Sequence, residues 1–186
     1  MGLMLEALKQ IEAKPLSFAF PSLPPDPHGP PPLTPRASQQ SEQIVPVADP
    51  AYEELAANIL TQLPADRPAA VMFTSPGDGD GKTRLLHALM PALAAQADRR
   101  VLLLDADLRK TRLASLTSRI DDLKHGELLL LDAPSLLHPE VAALGAHCDG
   151  IYLVVRLGHT IRRAVGEAAH VIDQSGGRLL GCVAIG

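Results

Sequence analysis

The stretch MFTSPGDGDGKTRLL, Met72–Leu86, joins a short apolar run to a glycine-punctuated loop, a Gly-Lys-Thr triplet and a helical pattern. Val71–Phe73 reads as a strand because it is short, apolar and ends at turn residues. Gly77, Gly79 and Gly81 relax the steric limits on the backbone, so successive N–H groups can converge on phosphate oxygens. Lys82 supplies a mobile positive charge for the β- and γ-phosphates, and Thr83 a hydroxyl for Mg²⁺. A helix opening near Lys82 adds its positive dipole end. The stretch therefore reads as a phosphate-binding loop of the form G-x-x-x-x-G-K-S/T, with Pro76 in place of the first glycine.

Working outward, short apolar runs alternate with helical patterns. Strands are expected at Ala69–Thr74, Val101–Leu104, Leu128–Leu131, Ile151–Val155 and Leu179–Ile185, the unbroken runs of strands covered on both faces. A helix starting at Asp49 or Pro50 should end before Pro64, with Leu55, Ile59 and Leu60 inward. Others are expected at Lys82–Ala95, with Leu85, Leu86, Leu89 and Leu93 buried, and around Pro139–Ala146 and Thr160–Gln174. His87 reads as a packing or surface residue. The pattern implies right-handed crossovers and an α/β fold of three layers, a mostly parallel sheet of about five strands between helices. Ligands in such sheets sit beyond the carboxyl ends of the strands.

Two apolar runs end in carboxylates there: Val101–Leu104 in Asp105-Ala106-Asp107, and Leu128–Leu131 in Asp132. A carboxylate at the end of a buried strand needs a partner. Magnesium is one, commonly held by one or two carboxylates together with phosphate oxygens. Asp132 fits a magnesium role beside Thr83. Asp105 and Asp107 fit contact with the metal, positioning of a nucleophile, or acceptance of its proton.

The chain has 186 residues and a net charge of −4, with no Trp. That length suits one domain with a substantial core filled by Leu, Ala and Val. The mild acidity argues against nucleic acid as the main ligand. Cys148 and Cys182 show neither metal spacing nor a disulfide framework, and two buried free thiols in a reducing cytosol are expected. No apolar run approaches a membrane span and no secretory leader is expected, so the reading is a cytoplasmic protein. Residues 1–14 read as a short amphipathic helix with Met4, Leu8 and Ile11 on one face, needing a surface to lie on. Residues 15–48, proline-rich and polar, read as a disordered linker of polyproline character. Residues 49–186 form the phosphate-loop domain.

Three stretches together resemble the bacterial tyrosine kinases of capsule and exopolysaccharide synthesis, P-loop ATPases related to the MinD and ParA proteins. TSPGDGDGKT (Thr74–Thr83) is similar to the family's loop T-S-x-x-P-G-E-G-K-S/T. VLLLDADLRK (Val101–Lys110) resembles its extra aspartate motif, apolar residues followed by D-x-D-x-R, and LLLLDAP (Leu128–Pro134) resembles its apolar-D-x-P motif. Weaker echoes are YEELAANIL (Tyr52–Leu60), DGIYLVVRLGHT (Asp149–Thr160) and the N-terminal MGLMLEALKQIE. Gly77 stands where MinD and ParA loops carry a second lysine, which favours the kinase branch. The resemblance implies ATP and Mg²⁺ as cofactors, with Gly77, Asp78, Gly79, Asp80, Gly81, Lys82, Thr83 and Arg84 as the nucleotide-binding set. It implies Lys82, Asp105 and Asp107 as catalytic residues, and Thr83, Asp105 and Asp132 on the metal. It further implies a protein tyrosine as acceptor and a membrane-protein partner of polysaccharide export. An ATPase switch of the MinD and ParA type, and a catalytically degenerate adaptor of the export machinery, stand as alternatives.

The chain also departs from that pattern. No tyrosine follows Tyr152, the segment between Arg109 and Leu128 is shorter than in the family, and the arginines of the family's oligomerisation helix are missing around Glu53–Asn58. Asp78 replaces the loop's proline and brings a further negative charge towards the phosphates.

Overall fold

The structure is a computed structural model and describes residues 49–108 and 110–186. The expected helix over 1–14, the proline-rich 15–48 and Arg109 lie outside the described residues.

The first described element is helix α1 (Pro50–Gln62), where the Asp49 side chain accepts from Ala51 N at 3.0 Å and Pro50 pre-sets the first helical φ. Strand β1 (Ala69–Thr74) follows and is buried along its whole length. Then come α2 (Lys82–Gln96), β2 (Arg100–Asp105), α3 (Leu113–Asp121), β3 (Glu127–Asp132), α4 (Pro139–Gly145), β4 (Gly150–Arg156), α5 (Arg162–Gln174) and β5 (Leu179–Ile185). All strand pairings are parallel, in the order β2-β3-β1-β4-β5. The strands expected from sequence are all present, three of them one residue longer at each end.

Alternation along β1 divides the core between two faces, because successive side chains of a strand point to opposite sides. Ala69, Val71 and Phe73 pack with Ile59 of α1 and with Leu85, Leu86, Leu89 and Leu93 of α2. Ala70 and Met72 pack with Leu116 of α3, Val141 and Leu144 of α4, and Ala168 and Ile172 of α5. Two helices on one face and three on the other make the three layers. The Tyr152 ring stacks on Phe73 at a centroid distance of 5.4 Å and an interplanar angle of 15°. Its hydroxyl accepts from Gln62 Nε2 at 2.9 Å, and burial pushes the phenol pKa up.

Two expectations need correction. The sequence predicts no element between Arg109 and Leu128, yet α3 stands there. It is nine residues long, its N-cap Arg112 makes no side-chain cap bond, and only Leu116 is buried. Nor are both thiols buried: Cys182 is exposed on β5, because an edge strand has neighbours on one side only. Cys148 is largely covered, and burial pushes its thiol up to about 12. Among the described residues no helix is long and apolar enough to cross a membrane.

Candidate functional site

The order of the strands, with β1 at the centre, places the loop after β1 between the carboxyl ends of β3 and β4. Connections leave opposite faces of the sheet here, the usual position of a ligand crevice. Register sharpens this. Phe73 is the partner of Asp132, and Asp132 of Asp105, so both carboxylates stand beside the start of the loop. Backbone bonds lock these ends together: Ala133 N donates to Phe73 O at 3.0 Å, Ala106 N to Asp132 O at 2.9 Å and Leu136 N to Ser75 O at 2.9 Å. Thr74 Oγ1 adds a bond to Pro134 O at 2.7 Å.

The loop turns through Gly79 and Gly81, both at φ +80°, a left-handed backbone that L side chains rarely adopt. Gly81 is the N-cap of α2 and its carbonyl accepts from Leu85 N at 3.0 Å. Lys82 opens that helix. Its Nζ donates to Ser75 Oγ at 2.7 Å, and Ser75 in turn donates to Gly77 O at 2.5 Å. Burial lowers the Lys82 pKa, against the raising influence of Asp132, Asp78 and Asp80. Thr83 Oγ1 donates to Asp132 Oδ2 at 2.5 Å. Burial raises the Asp132 pKa and nearby Asp105 raises it further, while the Thr83 bond, Lys82 and His87 lower it.

An open cleft of about 610 Å³ runs from this point towards α3 and α4. Asp78, Lys82, Thr83, Asp105, Asp107 and Asp132 all line it. Asp105 is exposed. Asp107 is buried and ion-paired to Lys110 Nζ at 3.2 Å, and its carbonyl accepts from the backbone N–H of Lys110 and Thr111. The donor set is all oxygen, from Thr83, Asp105 and Asp132. That is the hard-ligand chemistry Mg²⁺ prefers when phosphate supplies the remaining ligands.

Not every candidate faces that cleft. Arg84 and Gly81 line a second groove of about 450 Å³, between the start of α1 and the end of β5. Asp80 is 1% exposed, with Oδ1 accepting from Thr160 Oγ1 at 2.9 Å and Oδ2 without a hydrogen-bond partner. Sequence reasoning passed over Ser75, Ser135 and Thr160, the hydroxyls that hold Lys82, Asp78 and Asp80. Ser75 sits inside the Thr-Ser of the loop motif, where a signal existed. Ser135 and Thr160 lie in loops 57 and 80 residues away from the carboxylates they bind, a relation only the fold reveals.

No protein-family model matches the chain, and no curated protein matches it by sequence. Solved structures do match in fold. The kinase domain of the Escherichia coli tyrosine kinase ETK aligns with a TM-score of 0.55 and 20% identity, over 72% of this chain and 72% of that one. The BceF tyrosine kinase domain aligns at 0.51 and 19%, over 73% of each chain. The chimerical protein CapA2B2 aligns at 0.58 and 18%, over 77% of this chain and 86% of that one. At such identities the likeness is one of architecture: the chain has the fold of bacterial tyrosine-kinase domains.

Proposed function

We propose that this chain binds ATP with Mg²⁺ on the loop Thr74–Thr83 and transfers the γ-phosphate to a protein tyrosine, in the control of exopolysaccharide or capsule production. The observation that carries the reading is the meeting of Thr83 with Asp132 in a cleft that also holds Lys82, Asp105 and Asp107. The fold of the tyrosine-kinase domains supports it.

In this reading the backbone N–H groups of the loop and the first turn of α2 cradle the phosphates, and Lys82 leaves Ser75 to meet them. The groove beside Arg84 has room for the nucleoside. Thr83, Asp132 and Asp105 are the residues that would hold Mg²⁺, which supplies charge neutralisation on the β- and γ-phosphates. Exposed Asp105, which lines the cleft, takes the proton of the acceptor hydroxyl. The tyrosine oxygen forms a bond to the γ-phosphorus as the bond to the β-bridging oxygen breaks, and ADP leaves. Asp107, held by Lys110, keeps the segment after β2 in position. Tyr152 is stacked in the core and Tyr52 is partly buried against it, and the reading takes the acceptor to be a tyrosine of another protein. The chain works in the cytoplasm beside a membrane-protein partner.

The test is ATP turnover with phosphotyrosine detection, comparing wild type with Lys82→Ala and Asp105→Ala. Lys82→Ala should abolish nucleotide binding, whereas Asp105→Ala should bind nucleotide and fail to transfer. Absence of binding at millimolar ATP would sink the reading. Phosphate release with no phosphotyrosine on any protein would replace it by an ATPase switch.

A further inference from the structure

Asp78 stands at the tip of the phosphate loop, where its carboxylate lines the cleft beside Lys82 and Thr83. It is not a loosely waving surface acid. Ser135 Oγ, fully buried, donates to Asp78 Oδ1 at 2.7 Å. Ser135 is itself fixed by its neighbours, since Leu136 N is bonded to Ser75 O at 2.9 Å and His138 N to the Ser135 carbonyl at 3.2 Å. The short stretch Asp132–Ser135 therefore does two things. At one end it offers a carboxylate to Thr83, and at the other it pins a second carboxylate against the loop.

The charge balance follows from this arrangement. Lys82 feels Asp132, Asp78 and Asp80 together. Asp80 is also pinned, through Thr160. A free nucleoside triphosphate entering this cradle meets more carboxylate than cation. With a divalent ion between Thr83 and Asp132, the charge of this set, −2 from three carboxylates and one ammonium, is neutralised.

We propose that Asp78, held in place by Ser135, makes the phosphate loop selective for metal-complexed nucleotide over free nucleotide. The proposal rests on the reading of the loop as a nucleotide site and adds to it a selectivity residue. One like charge fixed several ångströms from a phosphate, at the effective dielectric of a protein surface, weakens binding by about tenfold or more. Of the two carboxylates within the loop, Asp78 is the one that applies this penalty, because it borders the cleft, whereas Asp80 is buried behind the loop. Binding a metal offsets most of the penalty, so the Asp78 carboxylate has only a small effect on the complex.

The experiment measures the dissociation constant of a fluorescent ATP analogue for the full chain, once in excess Mg²⁺ and once in EDTA. Wild type should bind the free nucleotide at least about thirtyfold more weakly than the magnesium complex. Asp78→Asn keeps the shape and can still accept from Ser135. It should tighten free-nucleotide binding about tenfold while moving the magnesium complex less than about threefold. Ser135→Ala, which frees the carboxylate to swing into solvent, should lie between the two. Asp66→Asn, on an exposed loop before β1, should match wild type. An unchanged ratio in Asp78→Asn, or equal weakening of both forms, overturns the role of Asp78 alone. Failure of wild type to bind the analogue in either buffer overturns the nucleotide reading as well.

Discussion

Thr83 and Asp132, 49 residues apart in sequence, meet through a bond from Thr83 Oγ1 to Asp132 Oδ2 that joins the first turn of α2 to the carboxyl end of β3. Thr83→Val keeps the shape and removes the hydroxyl. Its expected effect is a loss of about tenfold or more in the magnesium-dependent part of nucleotide affinity, with binding in EDTA nearly unchanged. Isothermal titration in the two buffers measures both. Equal loss in both would mean that Thr83 serves the phosphates and not the metal.

Asp132 gives a pH prediction. Burial is the main reason its pKa lies above the ordinary carboxylate value of 3.8. A carboxyl whose folded pKa is raised makes the folded state prefer the proton. The cost of its charge is absent below the unfolded pKa of 3.8, grows as pH rises towards the folded pKa, and is complete above it. Asp132→Asn should therefore raise the melting temperature of nucleotide-free protein at neutral pH, with the gain shrinking towards pH 4. The same variant should lose magnesium-dependent binding, a trade of function for stability. A melting series from pH 4 to 8 checks the sign: a variant less stable than wild type at neutral pH contradicts it.

The fold was largely legible because its strands are unbroken apolar runs, which only a sheet covered on both faces accommodates. That the loop Thr74–Thr83, Asp105 and Asp132 come together at one end of the sheet was legible for a related reason. Each follows such a run, and parallel strands deliver their ends to one side. α3 was missed although Leu113, Leu116 and Ile120 recur at helical spacing, since nine residues without a capping side chain give a weak local signal. The hydroxyl tethers from Ser135 to Asp78 and from Thr160 to Asp80 had no local signature. They arise because loops after β3 and β4 flank the loop after β1, and that adjacency belongs to the strand order.

Tyr152 should be a structural residue. Tyr152→Phe keeps the stack on Phe73 and loses the bond from Gln62, a change worth about 0.5–1.5 kcal/mol. Tyr152→Ala also removes a buried ring, and a cost of about 3–5 kcal/mol is expected. Urea denaturation of the three proteins separates the two contributions. If Tyr152→Phe abolished phosphotyrosine formation while leaving stability intact, Tyr152 would be an acceptor after all.

Gly81 carries two independent constraints that a double-mutant cycle can separate. Its φ of +80° disfavours any L side chain, and a Cβ built there would lie 2.6 Å from Ile185 Cδ1. The first constraint is a backbone cost of about 1–2 kcal/mol that no neighbour can relieve. The second involves the far end of a flexible side chain, which can rotate aside. Gly81→Ala should thus destabilise the fold chiefly through the backbone, and Ile185→Val should recover only a small part of the loss. The same backbone change re-aims the N–H groups at the start of α2, so nucleotide affinity should fall in Gly81→Ala and stay low in the double variant. Full recovery of both stability and binding by Ile185→Val would show instead that the contact with β5, and not the left-handed turn, requires glycine.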